Sequence, residues 1–384
     1  MQNFVFHNPT RIVLGRHTIP KLRKLIPSGS RVMLAYGHGS IKQNGVYDQI
    51  TQALNGFETI EFSGIDPNPK YEQLLPGLEL IQKHRIQFIL AAGGGSVIDA
   101  VKWLAAAALY EGDPWDILTG QYSVKEALPI GTVLTLPGTG SEANGNAVIS
   151  RIEPLAKRSF YSPAVFPRFS ILDPETTFSL PKHQIANGVA DAFTHVVEQY
   201  LTYPVGGHLQ DRLAEAVFHT LIEQGVQAVE STDYEIRANF MWACTLALNT
   251  LLSMGVPGDW ASHQIGHELT ALHGLDHART LAIVLPSLLR EQKDSKREKL
   301  LQFGDRIWGI RSGSESERIE QTIQAVEKFF RSLGIGVRFS EYDLDARTTP
   351  QEVANRLRSQ GSTAIGEHND ITPDKVQRIL EAAA

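Results

Sequence analysis

The stretch QFILAAGGGSVIDAVKWLAAAAL, residues 87–109, decides the fold class. It opens with an apolar run, Gln87 to Ala92, that stops at three glycines, and a helical pattern follows from Val97 to Leu109. A strand that is apolar along its whole length is typical of a parallel sheet covered on both faces. The glycines let the backbone approach a ligand, and the helix N-terminus offers free N–H groups to a pyrophosphate. The pattern is neither G-x-G-x-x-G nor a Walker A loop, so a plain tight turn stays open as the alternative.

The same arrangement recurs on both sides of this stretch. The apolar run Arg31 to Tyr36 stops at Gly37, and the run Gly131 to Leu136 stops at Pro137-Gly138. Helical patterns lie between the runs, and ligands of such sheets bind at the carboxyl ends of the strands. We therefore predict an α/β dinucleotide-binding domain with a parallel sheet over residues 1–180.

The pattern changes after Leu180-Pro181. Apolar residues then recur at three- and four-residue spacing with almost no strand signal, which favours helices. The predicted helical stretches span residues 185–201, 210–229, 234–253 and 319–333. We predict an all-α second domain over residues 181–384.

Composition excludes several classes of protein. The chain has 384 residues, 36 Lys+Arg against 42 Asp+Glu, and a net charge of −6, which disfavours binding to nucleic acid or to an anionic membrane. No run approaches the ~18 apolar residues that a membrane helix needs. The single cysteine, Cys244, suits a reducing compartment, and the N-terminus shows no targeting pattern, so we expect a cytoplasmic protein.

Histidines cluster in the second half. His263, His267, His273 and His277 fall within 15 residues, and His263 and His267 share a helix face because they are four residues apart. Upstream, Asp191 and His195 have the same spacing in the sequence GVADAFTH. Nitrogen and oxygen ligands on two helices can hold Zn²⁺ or Fe²⁺, although a single Asp/His pair is more often structural. Spacing alone leaves open which of these histidines bind the metal.

The loop Gly37-His38-Gly39-Ser40 follows the first strand of the predicted sheet. Dinucleotide folds that bind NAD often carry an acidic residue at such a strand end, where it binds the ribose 2′-hydroxyl. Here the residues are small or basic, and Lys42 follows closely. The loop is expected to accept a 2′-phosphate, with a plain solvent loop as the alternative.

With these motifs placed, the chain resembles the iron-containing (group III) alcohol dehydrogenases. It is most similar to the branch of NADP-dependent butanol dehydrogenases and aldehyde reductases. The matching stretches are GGGSVIDAVK (93–102), LTLPGTGSEAN (134–144), LDPETTFSLP (172–181), NGVADAFTHVVEQY (187–200) and HQIGHELTALHGLDH (263–277). The resemblance implies a dehydroquinate synthase-like architecture, with metal and substrate in the cleft between the two domains.

The resemblance also implies roles for single residues. The implied metal ligands are Asp191, His195, His263 and His277, whereas His267 is implied to lie near the metal without binding it. We expect His267 to be a catalytic residue that relays a proton to the product, with the ribose hydroxyl or water as the alternatives. The implied cofactor contacts are Asn68, Gly94, Gly95, Ser96, Thr135, Thr139 and Lys157. The loop residues Gly37, His38, Gly39 and Ser40 are added to them as expected contacts of the 2′-phosphate. An Asp that NAD-preferring relatives carry in the Gly37–Ser40 loop is missing, which favours NADP(H).

The expected activity is reversible reduction of short-chain aldehydes to primary alcohols by NADPH. The divalent metal, Fe²⁺ or Zn²⁺, acts as a Lewis acid toward the carbonyl oxygen. The expected partners are the aldehyde or alcohol substrate and a second copy of the chain in a homodimer. Three alternatives stay open: an NAD-dependent glycerol-type dehydrogenase, a dehydroquinate-synthase-like lyase, and a non-catalytic module that binds metal and nucleotide.

Overall fold

The computed structural model describes all 384 residues, and its N-terminal half is built on one parallel β-sheet. The strands in chain order are β1 (Arg11–Leu14), β2 (Arg31–Tyr36), β3 (Glu58–Phe62), β4 (Phe88–Gly94), β5 (Ile130–Leu136), β6 (Asn146–Arg151), β7 (Ala156–Tyr161) and β8 (Phe169–Leu172). Six of them form the sheet in the order β1-β8-β5-β4-β2-β3, and every neighbouring pair is parallel. Strands β6 and β7 form a separate antiparallel hairpin. The predicted parallel α/β fold is confirmed.

Helices flank the sheet and make up most of the second half. In chain order they are α1 (Leu22–Leu25), α2 (Val46–Ala53), α3 (Tyr71–His84), α4 (Gly95–Ala107), α5 (Asp116–Thr119), α6 (Lys182–Tyr200), α7 (His208–Thr220), α8 (Val226–Glu230), α9 (Tyr234–Ala247), α10 (Ala261–His273), α11 (His277–Glu291), α12 (Arg297–Trp308), α13 (Glu315–Ser332), α14 (Thr349–Ser359) and α15 (Pro373–Glu381). The predicted helical character of the C-terminal region is confirmed. No helix combines the length and the apolar character needed to cross a membrane.

Both faces of the sheet are buried, which explains why its central strands are mostly apolar. In β2, Val32 and Leu34 pack in one core with residues of α1 and α2, whereas Met33 and Ala35 pack in the opposite core with residues of α3 and α4. Successive side chains of a strand point to opposite faces, so a strand covered on both sides needs apolar residues at every position.

The glycine loop forms at an irregularity between β4 and β5. The pairing register of the two strands shifts between Gly93 and Gly94. A Cβ atom on Gly94 would lie 2.9 Å from the Cβ of Leu136, and one on Gly95 would lie 2.5 Å from side-chain atoms of Thr139. Neither position has room for a side chain, so the glycines allow β5 and its following loop to approach the start of α4.

The chain packs as two compact units. One unit comprises His7–Pro181 together with Thr232–Asn249, so helix α9 packs with the sheet. The other comprises Met1–Phe6, Lys182–Ser231 and Thr250–Ala384, which includes α6 and the remaining C-terminal helices. The division into functional domains at residues 180/181 stays a prediction.

Helix α6 lies at the centre of the second unit. Every residue from Ile185 to Tyr200 is buried, and the ring of Phe193 packs against those of Phe218, Phe329 and Phe330. A helix that is buried on all sides is normally apolar. The polar residues that α6 nevertheless carries between Asp191 and Gln199 therefore need a structural or functional explanation.

Candidate metal centre and nucleotide-binding loops

Asp191 and His195 lie one turn apart on α6 and face the same side. Oδ1 of Asp191 is 3.6 Å from Nε2 of His195, and both side chains are buried. The four-residue spacing brings them together because an α-helix has 3.6 residues per turn. The predicted placement of Asp191 and His195 on one face of a helix is therefore found in the structure.

Helix α10 brings His263 to the same place. Nε2 of His263 lies 3.8 Å from Oδ1 of Asp191, and the His263 ring stacks on the His195 ring with centroids 4.6 Å apart. One ligand atom from each of the three residues lies within 4.8 Å of the other two, and all three residues are buried. The tertiary fold thus gathers two nitrogens and a carboxylate oxygen into one cluster.

The cluster fits a single divalent cation. Ligand atoms lie roughly 2.0–2.2 Å from Zn²⁺, so two ligands of one ion are at most about 4.4 Å apart. The separations of 3.6 and 3.8 Å from Asp191 Oδ1 satisfy this limit. Nε2 of His263 is buried and has no partner within ordinary hydrogen-bond distance, as expected of a nitrogen placed to bind a metal. The nitrogen and oxygen donors suit Zn²⁺ or Fe²⁺.

Two carboxylates surround His263. Burial by itself lowers the pKa of the His263 ring, but the charges of Glu198 and Asp191 and their hydrogen bonds raise that pKa to about 9. A histidine must lose its proton from the nitrogen that binds a metal. Glu198 and Asp191 therefore favour a positive charge at the His263 ring, which either a proton or a cation bound at Nε2 can supply.

The other histidines of the sequence cluster are placed differently. His277 begins α11, and its ring centroid lies 5.1 Å from that of His263, but its nitrogens are not part of the three-residue cluster. The His267 ring lies 6.5 Å from the His263 ring and 5.1 Å from the His277 ring. Nε2 of His273 lies 3.2 Å from Oγ1 of Thr349, and burial lowers the pKa of the His273 ring.

A carboxylate that the spacing argument did not single out lies behind the cluster. Glu198 follows His195 by three residues on α6 and contacts Nδ1 of His263. Glu198 lies three residues after His195 and seven after Asp191, and these spacings place it on the same helix face. That spacing could have identified Glu198 from the sequence.

Three of the predicted cofactor residues meet at the start of α4 in the sheet-bearing unit. Nζ of Lys157 donates to Oδ1 of Asn68 at 2.7 Å, and the backbone N–H of Asn68 donates to Oγ of Ser96 at 3.3 Å. Ser96 lies in the first turn of α4, whose N-terminus carries partial positive charge. A lysine and a helix N-terminus together favour an anion such as a phosphate.

The remaining glycine-loop residues lie at the ends of β4 and β5. Thr139 packs against Gly95, while Thr135 is a buried residue of β5. Below them, the Asp99 carboxylate accepts hydrogen bonds from Ser141 Oγ at 2.6 Å and from the N–H of Val148 at 2.9 Å. This buried support of the loop was not predicted, because its members are far apart in sequence.

Lys102 completes that support. Its ammonium group donates to Ser141 Oγ, to Asn144 Oδ1 and to the carbonyl oxygen of Asn146 at 2.7–3.0 Å. Complete burial lowers the pKa of Lys102 to about 8, although Asp99 and Glu142 partly oppose the shift. Lys102 therefore holds the segment after β5 against α4.

The loop Gly37–Ser40 follows β2, as predicted, and has an acidic neighbour. Nε2 of His38 lies 2.7 Å from Oδ1 of Asp66, and Gly39 has a φ of +93°, which favours glycine. The Lys42 ammonium lies 3.7 Å from Glu61, over the ring of Tyr47. The structure thus places His38 and Asp66 together, a contact that the sequence did not indicate.

Two family models match most of the chain. Residues 9–174 match the family described as iron-containing alcohol dehydrogenase, and residues 185–384 match the C-terminal part of the Fe-containing alcohol dehydrogenase family. The chain belongs to the iron-containing alcohol dehydrogenase family, which confirms the resemblance found in its motifs.

Individual relatives match over the full length. The chain is 52% identical to the NADPH-dependent aldehyde reductase YqhD of Escherichia coli (strain K12), with 100% of both proteins covered. It is 38% identical to the probable NADH-dependent butanol dehydrogenase 1 of Bacillus subtilis (strain 168), again with 100% of both covered. The crystal structure of E. coli K-12 YqhD matches with a TM-score of 0.98 at 51% identity, covering 100% of this chain and 99% of that one.

Proposed function

We propose that the protein is a metal-dependent NADP(H) alcohol dehydrogenase that acts as an aldehyde reductase on short-chain aldehydes. The observation that carries the proposal is the buried cluster of Asp191, His195 and His263. Membership of the iron-containing alcohol dehydrogenase family and 52% identity to an NADPH-dependent aldehyde reductase support the same reaction.

The proposed metal ligands are Asp191, His195, His263 and His277. Fe²⁺ or Zn²⁺ held by these residues would supply the Lewis acidity that polarises an aldehyde carbonyl. The first three residues already form the cluster, and His277 lies beside it on α11. His267 is proposed to hold the proton that the product alcohol gains, because a neutral imidazole can accept and donate protons near pH 7.

The proposed cofactor site is formed by the loops at the carboxyl ends of the strands. Lys157, Asn68 and the start of α4 are proposed to bind the pyrophosphate, and the loop Gly37–Ser40 is proposed to bind the adenosine ribose with its 2′-phosphate. The remaining proposed contacts are Gly94, Gly95, Ser96, Thr135 and Thr139. NADPH bound at these residues would supply the hydride, and the loops would position it for transfer.

The test is NADPH and NADH oxidation by the purified protein across a panel of aldehydes, with its metal content measured in the same samples. We expect NADPH oxidation that is lost after chelation and restored by Fe²⁺ or Zn²⁺. Bound metal without NADPH consumption on any aldehyde would instead favour a non-catalytic binding module.

We also propose a homodimer located in the cytoplasm. The chain contains one cysteine, Cys244, which is buried, and this usage suits a reducing compartment. Sedimentation equilibrium of the purified protein tests the dimer, and cell fractionation tests the location.

A further inference from the structure

Both carboxylate oxygens of Glu198 contact residues in the first turn of α10. Glu198 is 3% exposed, its Oε1 accepts the backbone N–H of Ser262 at 2.6 Å, and its Oε2 contacts Nδ1 of His263. Its backbone carbonyl also accepts the N–H of Asp259 at 2.9 Å. Glu198 therefore joins α6, which carries Asp191 and His195, to the helix that carries His263.

The contact with Nδ1 selects one form of the His263 ring. An ionised carboxylate only accepts hydrogen bonds, so Nδ1 must carry the hydrogen. In the neutral imidazole the lone pair then lies on Nε2, the atom 3.8 Å from Asp191 Oδ1. The nitrogen that faces the other two ligands is thus the one able to bind a cation.

The same carboxylate stabilises the start of α10. Trp260 precedes the helix and provides no side-chain cap, and Ser262 has one of the N–H groups left without a helical partner. A carboxylate at a helix N-terminus also interacts favourably with the helix dipole. Glu198 therefore fixes the backbone as well as the ring of His263.

We propose that Glu198 is a positioning residue of the metal centre, which sets the tautomer and the orientation of His263. The proposal rests on the metal site of the proposed function. It goes beyond the ligand set because Glu198 acts through His263 and has both carboxylate oxygens occupied by protein groups.

Glu198→Gln tests the role with almost no change in shape. If the amide oxygen accepts from Ser262, the amide nitrogen donates to Nδ1 of His263 and moves the ring hydrogen to Nε2. If the amide is reversed, its nitrogen faces the N–H of Ser262, and two donors meet. The first arrangement places the ring hydrogen on the nitrogen that faces the metal site, and the second disturbs the backbone at the start of α10 next to His263. We therefore expect the Zn²⁺ dissociation constant to rise ~10–100-fold.

Glu215→Gln is the matched control. Glu215 is also buried in the helical unit, where it accepts hydrogen bonds from Tyr200 and Arg306 outside the metal cluster. It reports the effect of neutralising a buried carboxylate on stability alone. Its Zn²⁺ dissociation constant is expected to stay within about twofold of the wild-type value, even where its thermal midpoint falls.

The measurement is Zn²⁺ titration of the metal-stripped protein against a competing chromophoric chelator, with NADPH binding and the thermal midpoint recorded alongside. Weaker Zn²⁺ binding in Glu198→Gln with unchanged NADPH affinity supports the proposal. Equal Zn²⁺ affinity in Glu198→Gln and wild type, or an equal loss in Glu198→Gln and Glu215→Gln, overturns it.

Glu198→Asp provides the second variant, because it keeps the negative charge with a shorter side chain. It is expected to retain more Zn²⁺ affinity than Glu198→Gln, and it tests the role by itself if the amide variant does not fold. If Glu198→Gln does not fold, the proposal is overturned when Glu198→Asp binds Zn²⁺ as tightly as wild type and Glu215→Gln do. A wild-type protein that binds no Zn²⁺ or Fe²⁺ overturns the proposed function as well.

Discussion

Nε2 of His38 lies 2.7 Å from Oδ1 of Asp66, so a carboxylate stands directly beside the loop that follows β2. The hydrogen bond from His38 holds the pKa of the Asp66 carboxyl below its ordinary value, and Asp66 is therefore ionised near pH 7. Lys70, 3.4 Å from the other oxygen of Asp66, adds a positive charge beside it. The charge at this loop therefore depends on Asp66 as well as on the loop residues Gly37–Ser40.

We predict that His38→Asp shifts cofactor preference toward NADH. The variant places a second carboxylate beside Asp66, and both repel the ~1.5–2 negative charges that a 2′-phosphate carries. The ratio of kcat/KM for NADPH to that for NADH is expected to fall at least about tenfold, equivalent to ~1.4 kcal/mol. Steady-state kinetics with both cofactors measure it.

Asp66→Asn is the control for that prediction. Removal of the carboxylate is expected to move the same ratio in the opposite direction. A wild-type protein that already prefers NADH would contradict the assignment of the loop to the 2′-phosphate.

The metal ligands are predicted to act as one unit. His263→Ala or His195→Ala is expected to remove the metal and nearly all aldehyde reduction, because each contributes one of the three clustered ligand atoms. NADPH binding should remain measurable by fluorescence titration. His273→Ala serves as the control, since His273 contacts Thr349 and is expected to keep the metal. Full metal occupancy in His263→Ala would remove His263 from the ligand set.

His267→Ala separates a proton relay from a metal ligand. If His267 relays a proton, the variant keeps its metal and loses ~10²–10⁴ in kcat, the usual scale for a lost general acid. Metal analysis and kcat across pH are measured on the same preparation. Loss of metal together with activity would identify His267 as a ligand, whereas normal metal content and normal kcat would leave it as a packing residue.

Lys102 is predicted to make stability increase with pH in the mildly alkaline range. Burial lowers the Lys102 pKa to about 8 in the folded protein, against an ordinary value of 10.5 for a solvated lysine. The unfolded chain therefore holds more protons at this group between the two values, and the free energy of unfolding rises with pH there. Urea unfolding between pH 8 and 9.5 should give a more positive slope for wild type than for Lys102→Met. Equal slopes would show that Lys102 does not carry the effect.

Much of the fold followed from local sequence patterns. The apolar runs predicted β2, β4 and β5 to within two residues at each end, and the helical pattern from Val97 to Leu109 corresponds to α4 (Gly95–Ala107). Strands β1, β3 and β8 are only four or five residues long, and β6 and β7 are partly exposed, so none of these five showed a clear apolar run. Short strands are defined by their neighbours in the sheet rather than by their own residues.

The sequence by itself determined which residues share a helix face and which strands end at glycines. The spacing of Asp191 and His195 is such a case, because 3.6 residues per turn bring residues four apart together. Only the tertiary structure placed His263 3.8 Å from Asp191, Glu198 against His263, and Asp66 beside His38. These partners come from different elements of the chain. Their meeting depends on how whole helices and strands pack, and no local pattern in the sequence records that packing.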